Sequence, residues 1–215
     1  MSPKKTMKLL IKIISTILFI VQLLYGQSDE RVTKVGTTAG AFLEIEVGAR
    51  ANGMGGAFVA LADDATALYW NTAGIARIKK TNVSLMHTEW LAGMNFDYGA
   101  IIIPLGHGNV IGLSLTALTM DEMEVRTVKD PEGTGEMFGA TDMSVGLSFA
   151  RALTDRFAIG FNAKYINQRI WHMSTTSFAI DVGTIFQTQF RGMTIGMSIS
   201  NFGNKMQMHG RDIEI

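Results

Sequence analysis

Long alternating runs of apolar and small or polar residues dominate the chain from about residue 82 onward. In the run 157–165, the odd positions are Phe, Ile, Phe, Ala and Tyr, whereas the even positions are Ala, Gly, Asn and Lys. Successive side chains of a β-strand point to opposite faces, so this pattern predicts strands with one apolar and one polar face. The runs cover about 10 to 14 residues, more than the usual strand of about 5 to 6, and enough for a tilted crossing of a membrane.

Two all-β architectures produce such strands. A soluble β-sandwich turns the apolar faces toward its core, whereas an antiparallel transmembrane β-barrel turns them toward lipid and encloses the polar faces. The polar positions here are mostly Gly, Ser, Thr and Ala with few charges, and aromatic residues gather near the strand ends. Both features are typical of a barrel with interfacial aromatic girdles. The sequence therefore favours the barrel, with a soluble periplasmic sandwich that binds a partner as an alternative.

The predicted strands number seven, and their connections differ in length. Three connections, at 106–108, 153–155 and 189–191, are tight, whereas the segment 121–137 is long and contains the turn signal Asp-Pro-Glu-Gly at 130–133. Bacterial barrels have short periplasmic turns and longer outer loops, so we expect the tight turns in the periplasm and 121–137 outside. The strands are predicted at 82–90, 94–105, 109–120, 138–152, 156–170, 175–188 and 192–203.

The N-terminus has the features of a secretory signal peptide. Lys4, Lys5, Lys8 and Lys12 precede a short apolar stretch at 13–24, and a small residue follows at Gly26. The apolar stretch is short for a membrane-spanning helix, so a membrane anchor is the weaker alternative, and we expect cleavage after Gly26. The remaining chain has 15 basic and 19 acidic residues and is mildly acidic. That balance argues against nucleic-acid binding, and the absence of cysteine excludes disulfides and thiolate metal sites.

A stretch rich in glycine and alanine, 48–76, separates the signal from the strands. Asp63 and Asp64 precede a short apolar run and are predicted to cap a short helix. Asn71 is predicted to cap a second helical turn over 73–78. Glycine lets backbones approach closely, and the glycines concerned are Gly48, Gly53, Gly55, Gly56 and Gly74.

This stretch strongly resembles the PorV/PorQ family of outer-membrane barrels, which is related to the FadL-type transporters. Further family-like blocks lie at 87–90, 131–136 and 200–203, so the resemblance covers roughly 39–212. The chain has Thr72 where the family pattern has proline, which removes a preset φ at the first helical position. The motif positions, for which we expect a structural role, are Gly48, Arg50, Gly53, Gly55, Gly56, Asp63, Asp64, Asn71 and Gly74.

The resemblance implies a FadL-like barrel with an N-terminal segment folded into or against the lumen. It also implies a role in type IX protein secretion at the outer membrane, with secretion-system proteins, exported cargo and outer-membrane lipid as partners. FadL relatives instead pass long-chain fatty acids or other hydrophobic small molecules, and this remains the alternative function. The domains expected are a signal peptide at 1–26, a plug segment at 27–80 and barrel strands at 81–215.

No motif in the sequence supports catalysis, and we expect no enzyme activity, cofactor or metal. The glycines at 53–56 lack the strand and Lys-Ser/Thr of a phosphate-binding loop. His87 and Glu89 share a strand face but lack the further spacing of a zinc site. Asp121, Glu122 and Glu124 lack the spacing of a calcium loop.

Strand number leads to one more expectation. Bacterial single-chain barrels have even strand numbers, and an open sheet edge in lipid would leave backbone groups unpaired. Seven predicted strands therefore indicate a fragment, roughly the first half of a larger barrel.

Overall fold

The computed structural model describes residues 39–210. The predicted signal peptide at 1–26 and the first residues of the predicted 27–80 segment lie outside the described residues. The described chain consists of an N-terminal segment of short helices, 39–80, followed by a large antiparallel sheet.

Seven long strands pair in sequence order to form this sheet. Each is antiparallel to its neighbour, in the order β1-β2-β3-β6-β7-β8, and β9 also pairs with β8. The antiparallel all-β prediction is therefore confirmed. The long strands are β1 (Asn82–Glu89), β2 (Met94–Gly106), β3 (Asn109–Met120), β6 (Ala140–Ala152), β7 (Phe157–Ile170), β8 (Met173–Gln187) and β9 (Thr194–Gly203).

Three two-residue strands complete the set. β4 (Met123–Glu124) and β5 (Met137–Phe138) pair with each other inside the long connection. The predicted strand 138–152 is therefore wrong at its start, because Phe138 belongs to this separate ladder and β6 begins at Ala140. β10 (His209–Gly210) pairs with the first residues of β8.

On β3 and on β6 to β8 the polar phase of the strand is the covered phase, whereas on β2 the covered side chains are mostly apolar and belong to the core under the N-terminal segment. In β7 the even positions Ala158, Gly160, Asn162 and Lys164 are buried, whereas Phe161 on the opposite face is 45% exposed. The same holds along β8, where Asp181 is buried and the neighbouring Ile180 is 52% exposed. A soluble sandwich would show the reverse arrangement, because its apolar faces form the core.

The three connections predicted to be tight lie at one end of the sheet, where two residues join β2 to β3, four join β6 to β7 and six join β8 to β9, so the last is longer than the predicted 189–191. At the opposite end, however, only the β3–β6 connection is long. β7 and β8 are joined by the two residues Trp171 and His172, a shorter connection than the 171–174 that the predicted strands leave. Trp171 adopts the left-handed conformation, with φ 51°, which lets so short a turn close without glycine.

The N-terminal segment packs on the covered face. Its helical pieces are short: 3-10 helices at Ala41–Glu44 and Thr72–Arg77, and α-helices at Ala49–Gly53 and Ala67–Trp70. Phe58, Leu68 and Ile75 of this segment form one buried cluster with Phe96 and Ile102 of β2. Within residues 39–210, none of the helices has the length and hydropathy needed to span a membrane.

Candidate functional site: the covered face of the sheet

Glycines on three neighbouring strands allow the N-terminal segment to lie directly on the sheet. A Cβ added to Gly160 of β7 would come within 2.4 Å of the Ala73 amide nitrogen. On β8, a Cβ on Gly183 would come within 2.0 Å of the Asn71 Oδ1 atom. On β9, a Cβ on Gly196 would lie 2.6 Å from the Val59 carbonyl oxygen. Any side chain at these positions would therefore push the segment off the sheet.

Asn71 is the polar anchor of this contact and is almost fully buried. Its Nδ2 donates to the Val59 carbonyl at 2.9 Å and to the Thr184 carbonyl of β8 at 3.1 Å. Its Oδ1 accepts from the Ala73 amide at 3.1 Å. The predicted helix cap at Asn71 is confirmed, because this last bond satisfies the first turn of Thr72–Arg77. One side chain thus joins two parts of the segment to the sheet.

Three of the motif glycines are favoured by close packing or by backbone conformation inside the N-terminal segment. A Cβ on Gly74 would lie 2.1 Å from the carbonyl oxygen of Ala62. Gly56 has φ 77°, and a Cβ added there would lie 2.9 Å from the Glu46 Oε1 atom. Gly48 has φ 93°, a left-handed conformation that other residues rarely adopt.

The remaining two motif glycines do not make close contacts. No atom lies within 4 Å of a Cβ added at Gly53 or Gly55. The prediction of close backbone approach is therefore wrong for both. Gly55 is still favoured by its backbone conformation, with φ 62°.

The predicted helix cap at Asp63 and Asp64 is wrong. The helix begins at Ala67 without a side-chain cap. Asp64 instead accepts from the Thr66 amide at 2.8 Å and from the Thr66 hydroxyl, which forms the turn before the helix. Asp63 pairs with Arg50, whose guanidinium donates to it. This bond raises the pKa of Arg50 above its ordinary value. The motif positions Arg50 and Asp63 thus connect two parts of the N-terminal segment through an exposed ion pair.

Aromatic residues hold the first part of the segment against the second. The Trp70 indole donates to the Val47 carbonyl at 2.8 Å, and its ring lies edge-on to Phe58 and to Tyr69. Burial, together with the negative charges of Glu46 and Glu44, raises the pKa of Tyr69 to about 12. Tyr69 therefore stays a neutral phenol at physiological pH and takes part in packing.

A buried ion pair lies on the covered face of β7 and β8. Lys164 Nζ and Asp181 Oδ2 are 2.8 Å apart, with 9% and 5% of their side chains exposed. Asn162 Nδ2 also donates to Asp181 Oδ2, at 2.8 Å. From β9, Asn201 donates its amide to Asp181 Oδ1 and accepts from Lys164 Nζ. Every atom of the Asp181 carboxylate is thus satisfied, as a buried charge requires.

The sequence placed Asn162, Lys164 and Asp181 on polar faces but did not indicate that they meet. Their contact depends on register: Asn162 lies opposite Asp181 in the β7–β8 ladder. A lysine and an aspartate on the polar faces of consecutive strands could have indicated this contact. An analysis of periodicity treats each strand alone and does not compare charges between strands.

The structure gives other roles to two side chains that the sequence analysis weighed as metal ligands. His87 Nδ1 lies 2.7 Å from Asp97 Oδ1, and both side chains are exposed. Glu124 of the long connection accepts from the Gly135 amide at 2.9 Å and so serves the loop's own fold. Within the part of the chain that the structure describes, no three His, Cys, Asp or Glu residues are grouped as metal ligands.

These features define a class: an antiparallel β-sheet protein that covers its polar face with its own N-terminal segment and leaves its apolar face exposed. The sequence profile of the family described as "Type IX secretion system protein PorV" matches residues 27–213. The chain therefore belongs to the PorV family, and the resemblance seen in the sequence is confirmed. PorV is a family of secretion-system proteins and not a known family of enzymes. No curated protein matches the chain.

Proposed function

We propose that the chain is a transmembrane β-barrel of the outer membrane that handles exported cargo in type IX secretion. The observation that carries this proposal is the inverted burial of β3 and of β6 to β8, in which most side chains of the polar phase are covered and most apolar ones on the opposite face are exposed. Family membership supplies the secretion system. An exposed apolar sheet face of this size is unfavourable in water but favourable against lipid.

The exposed apolar side chains form a band of the height that a membrane requires. On β7 the band runs from Phe157 to Tyr165, which at about 3.3 Å per residue and a tilt of about 40° spans about 20 Å between these two residues, comparable with the ~25 Å of bacterial barrels. Beyond Tyr165 the outward positions become polar, beginning with Asn167 and its β8 partner Thr176. We place the tight turns in the periplasm and 121–137 outside, as the loop lengths favour.

The N-terminal segment supports cargo handling over passage of small molecules. Its backbone lies against inner-face glycines of three strands and is fixed by Asn71. Acting as a plug, it would have to leave this face before a fatty acid could pass along it. Recognition of cargo and of secretion-system proteins is therefore assigned to the exposed ends of the sheet.

The membrane position is tested by placing a charge in the middle of the band. Leu147 of β6 is 65% exposed, so Leu147→Arg would be tolerated in a soluble protein. In a membrane it is expected to lower the free energy of unfolding by about 2 to 4 kcal/mol. Urea unfolding of the protein refolded in lipid vesicles measures this change.

Thr141→Arg is the matched control for this test. Thr141 lies on the same strand, on the outward face but beyond the band, opposite Arg169 of β7. The control is expected to change the free energy by less than about 1 kcal/mol. Equal, small effects of both substitutions, or recovery of the native protein from the soluble periplasm, would rule out the membrane position.

The secretion role is tested in a strain that lacks the gene. We expect the exported cargo proteins to be lost from the medium and to accumulate in the periplasm, while uptake of long-chain fatty acids is unchanged. The measurement is quantitative proteomics of both fractions, with complementation by the unaltered gene as control. Normal secretion with lost fatty-acid uptake would instead support the FadL-like alternative.

A further inference from the structure

A cavity of about 720 Å³ lies on the covered face, at the end of the sheet that carries the β2–β3 and β6–β7 turns. Its floor is apolar and is built by four neighbouring strands. Two of the floor residues, Val110 and Ala158, are each 2% exposed. The volume falls within the range of about 300 to 1,000 Å³ that is usual for ligand sites. The floor residues are Pro104 of β2, Val110 of β3, Ala152 of β6 and Ala158 of β7.

Backbone hydrogen bonds hold the walls of this cavity in place. The β2–β3 turn is bound to β6, because the Ala152 amide donates to the Gly108 carbonyl at 2.9 Å. The β6–β7 turn is closed by the Leu153 amide, which donates to the Phe157 carbonyl at 2.9 Å. The third wall is the end of the N-terminal segment, which follows the helix Thr72–Arg77 packed on β6, β7 and β8. The cavity is therefore preformed, which lowers the entropic cost of binding a ligand.

Cationic side chains of the N-terminal segment line the cavity. Arg77 and Lys79 are exposed and belong to its wall, and His107 of the β2–β3 turn adds an imidazole. Neither Arg77 nor Lys79 forms an ion pair with a carboxylate of residues 39–210. Among the described residues, the only carboxylate in the lining is that of Asp155 in the β6–β7 turn. The lining therefore carries a net positive charge that is available to a ligand.

A smaller cavity of about 370 Å³ extends this cationic surface. It shares Arg77 and Lys79 with the larger cavity and adds the exposed Lys80. Its acidic residue, Asp63, is already paired with Arg50. Three cations of one short stretch of chain thus lie beside an apolar floor.

We propose that the larger cavity binds an acidic segment of a protein partner, with its carboxylates at Arg77 and Lys79 and its apolar side chains on the floor. Opposite charge favours the carboxylates, and the floor offers the apolar contact area that charge alone does not supply. Lipid would lie on the opposite face of the strands, whereas the floor belongs to the covered face. The placement of this site in the periplasm, and of its partner in the secretion system, rests on the proposed function.

The test is the binding of a synthetic peptide to the full protein in detergent, measured by fluorescence anisotropy. The probe is a fluorescein-labelled peptide of alternating glutamate and leucine residues, and its counterpart with glutamine for glutamate is the ligand control. We expect the glutamate peptide to bind more tightly than the glutamine peptide, and more weakly as salt is added. Arg77→Gln with Lys79→Gln is expected to raise the Kd of the glutamate peptide about threefold per cation, or ~10-fold together.

Two further variants separate charge from damage to the fold. Arg126→Gln with Lys129→Gln removes two exposed charges from the long connection at the opposite end and is expected to leave the Kd unchanged. Asp155→Asn removes the carboxylate that would repel the peptide and is expected to lower the Kd about twofold to threefold. Because loss of structure would weaken binding, tighter binding by this variant reports on charge in the cavity.

Equal affinities for the glutamate and glutamine peptides, or an unchanged Kd in the variant of Arg77 and Lys79, would overturn the proposal. If that variant instead lost binding to phosphatidylglycerol vesicles while its Kd for the peptide stayed the same, the cations would serve a lipid surface. None of these results bears on the membrane position, because peptide binding is measured in detergent and Leu147→Arg tests the membrane position separately. Failure of that separate test would remove the periplasmic placement and leave the peptide site.

Discussion

Replacing Gly74 by alanine is expected to lower the free energy of unfolding by about 3 to 5 kcal/mol. The added Cβ would lie 2.1 Å from the Ala62 carbonyl oxygen, and the obstacle is backbone, which cannot rotate away as a flexible side chain can. Gly74 lies in the helical turn Thr72–Arg77, which rests on the sheet through Asn71. Relieving the clash would therefore separate two stretches of the N-terminal segment or lift one of them off the sheet.

Gly53→Ala is the matched control for this substitution. Gly53 belongs to the same segment, but no atom lies within 4 Å of its hypothetical Cβ and its φ is not positive. Alanine there is expected to change the free energy by no more than about 1 kcal/mol, toward greater stability. Urea unfolding of the refolded protein in detergent, followed by tryptophan fluorescence, measures the change, with Trp70 of the segment contributing to the signal together with Trp90 and Trp171. Similar midpoints for both variants would mean that the tight contact at Gly74 does not hold the segment.

Replacing Lys164 by methionine is expected to cost a similar amount, about 3 to 5 kcal/mol, by leaving the Asp181 carboxylate buried without its cation. Asp181 keeps its bonds from Asn162 and Asn201, but these do not neutralise its charge. Methionine is close to lysine in length, so the loss is not due to a cavity. The same unfolding experiment measures it.

A double-mutant cycle separates the charge from the packing. Lys164→Met combined with Asp181→Asn is expected to recover much of the lost stability, because no unpaired charge remains. Lys129→Met, in the exposed long connection, is the control and is expected to change stability by less than about 0.5 kcal/mol. Additive costs in the double variant would show that Lys164 and Asp181 are not energetically coupled.

The bounds of most long strands were predictable from the sequence. The predicted strand 109–120 matches β3, and 156–170 differs from β7 by one residue. Alternation is a local property, and the residues that end it stand next to it in the chain. The two-residue turn at Trp171 was not predicted, because Trp171 adopts the left-handed conformation and neither turn residue is of a type that usually signals a turn.

Side-chain roles in the N-terminal segment were less predictable. Asn71 was correctly interpreted as a cap, since its acceptor bond goes to an amide two residues away. Asp63 was not, because its partner Arg50 lies 13 residues earlier in the chain. A short acidic residue before an apolar run is compatible with a cap, a turn or an ion pair, and the choice depends on which donor the fold brings near.

The sequence by itself determined that the strands have two unlike faces, where most of them begin and end, and to which family the chain belongs. Only the tertiary structure decided that the polar face of β3 and of β6 to β8 is the covered one, that Gly160, Gly183 and Gly196 make room for the N-terminal segment, and that Lys164 meets Asp181. Alternation specifies that the two faces differ, but burial depends on what packs against each. That is settled by contacts between residues far apart in the chain, such as Asn71 and Thr184, which no local pattern encodes.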